Sequence, residues 1–154
     1  MNKITFVYSP DLSEVPATEK NAALNEIGQY FVEAILADVG ETRSPVTGRL
    51  FKKLSAQYAE KKAEESSSPV ANMELSGDML DSLEFKVSGS KVEVGIWGSE
   101  ADKADGHNNF SGDSKLPQRQ FIPMKGEKFR PDIMGEVESI LESYAVKEGQ
   151  KVFR

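Results

Sequence analysis

"LSGDMLDSLEFKVSGSKVEVGIWG", Leu75 to Gly98, carries the periodicity that decides the fold. Leu83, Phe85 and Val87 alternate with polar neighbours, and so do Val92, Val94 and Ile96. Successive side chains of a strand point to opposite faces, so each run buries one face and wets the other. Ser88, Gly89 and Ser90 lie between the runs. A short glycine-containing turn between two alternating segments predicts a β-hairpin. Just upstream, Ser76 is placed to cap a short helical turn through Met79 and Leu80.

On the N-terminal side, "KITFVYS" (Lys3 to Ser9) is rich in β-branched and aromatic residues and predicts a strand stopped by Pro10. Beyond Pro16, Thr18 is expected as a helix N-cap, with Glu19 in the first turn, where its charge suits the helix dipole. Leu24, Ile27, Phe31, Ala34, Ile35 and Val39 then recur at helical spacing, and Gly40 is the expected stop. "TRSPVTGRLF" holds Pro45 and Gly48 and reads as a loop. "KKLSAQYAEKKAEE", with Leu54 and Tyr58 on one side, predicts a second, amphipathic helix ended by Ser66 to Pro69.

On the C-terminal side, "RQFIP" (Arg119 to Pro123) reads as a short extended strand. In "RPDIMGEVESILESYAVKEG", Ile133, Val137, Ile140, Leu141 and Tyr144 share one stripe and predict a third helix. Pro131 falls near its first turn, where a missing N–H costs nothing. Strand, helix, helix, hairpin, loop, short strand, helix is not an alternating βαβ order. It predicts one α+β domain over residues 1–154. A small, mainly antiparallel sheet with a β-hairpin would pack against two long helices and a shorter one.

Composition narrows the chemistry. The chain has no cysteine, which excludes a disulfide framework, a thiolate nucleophile and a cysteine-ligated zinc or iron–sulfur site. Nineteen Lys and Arg against 25 Asp and Glu give a net charge of −6, a poor balance for general binding to a phosphate backbone. Arg43, Arg49, Lys52, Lys53, Lys61 and Lys62 cluster, but Glu60, Glu64 and Glu65 interleave them, as on a solvated helix face. No apolar run approaches the roughly 20 residues of a membrane-spanning helix, and the N-terminus does not read as a signal peptide. A soluble protein made in a cytoplasm, with no membrane partner, is expected.

The only histidine lies in "ADKADGHNNFSGDSKLPQRQFIP", Ala101 to Pro123, which reads as a polar loop. Asp102, Asp105, His107 and Asp113 are acceptable metal-ligand types, yet a transition-metal site needs three or four convergent ligands with an ordered surround. The EF-hand series is missing. No serine sits in a G-x-S-x-G elbow, and there is neither a phosphate loop nor a dinucleotide fingerprint. No catalytic, cofactor-binding or metal-binding residues are expected, and the chain reads as a non-enzyme. Trp97, ending the second hairpin strand, is expected to pack under the sheet, with an interface anchor as the alternative.

Four segments, in this order, resemble the phage virion morphogenesis or tail completion proteins of the neck of tailed bacteriophages. They are "SPVTGRLFKKLSAQYAEKKA", "ANMELSGDMLDSLEFKVSGSKVEVGI", "KADGHNN" and "LPQRQFIP". Two details depart from the family pattern: Asn108, Asn109 and Phe110 follow His107, and Pro117, Gln118, Arg119 stand where proline, alanine and arginine are common. The resemblance implies a structural subunit of the virion tail or neck, made in the host cytoplasm. It would form a homo-oligomeric ring, contact the tail tube and head connector, and let DNA pass through the lumen without specific binding. His107, Asn108, Phe110, Arg119, Phe121 and Trp97 are then candidates for subunit or partner contact. The alternative is a small regulatory domain binding a ligand or nucleic acid.

Overall fold

The computed structural model describes residues 3–51, 78–108 and 120–145 of the chain. Strand β1 (Lys3–Tyr8) leads through a 3-10 turn (Ala17–Glu19) into helix α1 (Lys20–Gly40). A single helical turn, α2 (Asp78–Asp81), precedes β2 (Leu83–Ser88) and β3 (Lys91–Trp97). A second 3-10 turn (Gly98–Glu100) opens α3 (Ala101–Asn108), and α4 (Pro131–Tyr144) ends the described chain. The expected helix over 52–65, the loop that ends it and the Ser76 cap lie outside the described residues.

The three strands form one antiparallel sheet in the order β1-β3-β2. The hairpin turn is two residues long, and Gly89 takes φ +61° at its first central position, where a side chain would be strained. Register sets three apolar rows across the sheet: Ile4–Ile96–Leu83, Phe6–Val94–Phe85 and Tyr8–Val92–Val87. Val92, Val94 and Ile96 on the central strand are fully buried. Each contributes about 1.5–3 kcal/mol over an exposed position. The intervening residues, Lys3, Thr5, Val7, Glu84, Lys86, Glu93 and Trp97, share the other face.

Helix α1 lies on the apolar face and buries Leu24, Ile27, Phe31, Ile35 and Val39. At Gly28 it comes so close to β2 that a Cβ would overlap the Phe85 ring. Gly95 does the same within the sheet, since a Cβ there would meet the Ile4 carbonyl and Thr5 of β1. Helix α4 packs along α1 through Ile133 and Val137. Phe129, just before α4, stacks on Phe31 at 5.1 Å between centroids and meets Phe6 edge-on at 5.0 Å. The fold is α+β, a small antiparallel sheet against two long helices and shorter ones. Among the described residues, no helix is long and apolar enough to cross a membrane.

Three local expectations need correction. Thr18 is not the N-cap: the chain enters α1 through the 3-10 turn, and Glu19 holds that position without a side-chain bond. Helix α1 does stop at Gly40, as expected, and it is Thr42 that takes the left-handed turn beyond it, at φ +60°. There the Arg43 amide donates to the Asp38 carbonyl at 2.8 Å and the Thr42 amide to that of Val39 at 3.0 Å, a Schellman pair with threonine where glycine is usual. The expected polar loop begins as α3, which seats Ala101 and Ala104 in the core. Finally, Phe121 and Ile122 pair with no strand among the described residues, because the Asn108 side chain takes up their backbone amides instead.

Candidate functional site

Two polar regions stand out: a seam where α1 ends and α4 begins, and the strand edges of the sheet. The seam is built on Asp38 and Arg130. Asp38 sits on the last turn of α1, 6% exposed, and Arg130 immediately precedes Pro131 of α4. The guanidinium donates from Nε to Asp38 Oδ2 at 2.9 Å and from Nη2 to Oδ1 at 3.2 Å, a bidentate fork. Nη1 donates to Asp132 at 3.0 Å. The hydrogen bonds to Asp38 raise the Arg130 pKa against the opposing effect of burial, so the cation is secure. Tyr30, close to the pair, is pushed above the usual phenol range, first by burial and then by the Glu136 carboxylate.

The loop from Arg43 to Leu50 straps this pair. Ser44 is its hub: Oγ accepts from the Val46 and Thr47 amides at 3.1 Å each and donates to the Gln120 carbonyl at 2.7 Å. The Arg130 amide donates to the Pro45 carbonyl at 2.8 Å, and Arg43 Nη1 to the Gly48 carbonyl at 2.6 Å. Serine followed by proline is a turn signal that the sequence displays, and here it nucleates the strap. A cleft of about 480 Å³ remains, lined by Asp38, Glu41, Arg43, Thr47, Arg130 and Asp132. Its buried carboxylate and the Arg130 guanidinium satisfy each other, so the seam ties two helices and a loop together.

Asn108 does similar work at the far end of α3. Its Oδ1 accepts from the Phe121 and Ile122 amides at 2.7 and 2.8 Å, and its Nδ2 donates to the Ile122 carbonyl at 2.9 Å. Gln120 extends the clamp by donating to Glu127 at 2.6 Å.

These contacts sort the residues singled out in the sequence. Asn108 is 1% exposed and Phe121 fully buried, so both pack into the subunit's own interior. Trp97 is half-buried, and it lies on the polar sheet face with Lys86 Nζ 4.3 Å from its ring centroid, not beneath the sheet. His107 falls on α3 next to Asn108. Phe110 and Arg119 lie outside the described residues. Among the described residues, no group of three or more His, Cys, Asp or Glu side chains is placed to hold a metal ion.

The sheet supplies the second region. β3 is paired on both sides, whereas β1 and β2 each have an outer edge with no strand partner among the described residues. Lys3 donates to Glu93 at 3.0 Å and the Thr5 hydroxyl to the same oxygen at 2.6 Å. Burial opposes ionisation of Glu93, but those two bonds, with the charges of Lys3 and Lys86, together hold its carboxyl below the usual range. Glu84 and Lys86 on β2 are about half exposed and form a loose ion pair at 3.9 Å. Val7 on β1 is 48% exposed. No family model, curated protein or solved structure matches this chain.

Proposed function

We propose that this chain is a structural subunit of a tailed phage, a tail completion or head–tail junction protein that works as a homo-oligomeric ring. In the particle it would close the tail end and present a repeated surface to the head connector, with DNA passing through without being held. The observation that carries the reading is the sheet whose two outer edges have no strand partner among the described residues, since exposed strand edges are templates for pairing with another chain. The ordered resemblance of four sequence segments to tail completion proteins supports it independently. The Asp38–Arg130 pair, Ser44 and Asn108 spend their hydrogen bonds on joining parts of this chain, which suits a scaffold whose action is contact. Many copies of a modest contact add up to stable attachment.

Light scattering and electron microscopy of the purified protein test this. A closed ring, alone or with tail-tube and head-connector partners, is the expected result. A persistent 17.0 kDa monomer in both settings overturns it. So does salt-dependent binding to a DNA duplex at micromolar protein, the behaviour of a nucleic-acid-binding domain.

A further inference from the structure

Resting on the ring reading above, we infer that the ring junction is a parallel strand pair, β2 of one subunit against β1 of the next, with Glu84 beside the partner subunit's Lys3. Both β1 and β2 run antiparallel to the strand between them, so they point the same way at opposite edges of the sheet. A copy rotated about an axis roughly along the strands therefore brings its β1 to the outer edge of β2, which has no strand partner among the described residues, without reversing direction. That is a head-to-tail contact, the kind that closes into a ring when the rotation is right.

Side-chain alternation restricts the register. A slip of one residue would set Leu83, Phe85 and Val87 level with Lys3, Thr5 and Val7, joining the apolar face to the polar one, so only steps of two are allowed. Setting Lys3 beside Lys86 opposes like charges. Setting Thr5 beside Glu84 leaves the charges unmatched and the rows unstaggered, although a closing sheet needs a stagger. Lys3 beside Glu84 pairs opposite charges, puts Thr5 next to Lys86 and Val7 next to Ser88, and continues the apolar rows as Phe85 with Ile4 and Val87 with Phe6.

Both charged groups are available. The Lys3 and Glu84 side chains are 56% and 54% exposed, and Glu84's present contact to Lys86 is a long 3.9 Å. Lys3 gives one bond to Glu93, and an ammonium has two more donors to offer.

The test exploits the absence of cysteine, so that introduced thiols are the only ones. The Lys3→Cys/Glu84→Cys double variant should form, on mild oxidation, a ladder of covalent multimers beyond the dimer that collapses on reduction. In parallel, Lys3→Glu and Glu84→Lys should each shift the assembly towards 17.0 kDa, and combining them should restore the wild-type mass. That rescue separates loss of the junction from loss of the fold. A wild-type ring with no ladder and no response to the single reversals overturns the junction while leaving the ring reading intact. Dimers alone, captured by Glu84→Cys/Lys86→Cys, would mean that β2 pairs with its own copy about a two-fold axis, and would overturn it as well. Wild-type protein that never leaves the monomer, with or without its partners, defeats the ring reading itself.

Discussion

Arg130 grips Asp38 through two parallel hydrogen bonds, of 2.9 and 3.2 Å, between residues 92 positions apart in the chain. The contact fixes the start of α4 against the end of α1 and holds the Ser44 strap beneath it. Asp38 is the more enclosed partner, with 8% of its side chain exposed against 27% for Arg130. Removing either charge leaves the other poorly solvated, the costly way to break such a pair.

Asp38→Asn should therefore destabilise the fold by about 1.5–3 kcal/mol, the range for hydrogen bonds to charged groups. Arg130→Lys should also destabilise, because an ammonium cannot reproduce the planar fork. Urea denaturation of both variants checks this. An unchanged midpoint for Asp38→Asn would show the pair to be incidental.

Thr42 occupies a left-handed conformation at φ +60°, where a β-branched side chain is strained. Thr42→Gly should stabilise the protein by about 0.5–1 kcal/mol, the relief of strain exceeding the extra entropy of an unfolded glycine. Thr42→Ala, which keeps a Cβ, should gain less. Paired thermal melts of the two variants separate backbone strain from simple loss of the threonine side chain.

At Gly28 two effects compete. Helix propensity alone says that Gly28→Ala gains about 0.8–1 kcal/mol. Packing says the opposite, since the new methyl would occupy space held by the Phe85 ring, and overpacking costs about 1–3 kcal/mol. We expect a net loss, with partial recovery in the Gly28→Ala/Phe85→Leu double variant. A double-mutant cycle by chemical denaturation measures both, and a stabilised single variant would show α1 standing farther from the sheet.

Glu93 links stability to pH. Its folded pKa is lowered despite burial, through bonds from Thr5 and Lys3. A depressed acid adds stability that is fully present above its unfolded pKa and is lost as pH falls through the folded one. Stability should thus decline on acidification across the carboxylate range, and Glu93→Gln should flatten that part of the profile. Melting temperatures from neutral pH into that range, for wild type and variant, check it.

The period-two runs of β2 and β3 and the apolar stripes of α1 and α4 were legible because each reports a local repeat, read from residues a few positions apart. Helix α3 was not. "ADKADGHN" is polar and carries a glycine, and the buried residues described in it are two small alanines and one asparagine, so its periodicity is faint. Nor could the sequence show that Asn108 satisfies the backbone of Phe121 and Ile122, which is why that segment looked like a strand in need of a partner.

By itself, then, the sequence determined where β1, β2, β3, α1 and α4 form and which side of each is apolar, because backbone geometry converts spacing directly into a face. Only the tertiary structure decided which polar groups meet. Asp38 with Arg130, Ser44 with Gln120 and Lys3 with Glu93 join distant parts of the chain. A polar residue close in sequence to many possible partners declares none of them until burial removes water as the alternative.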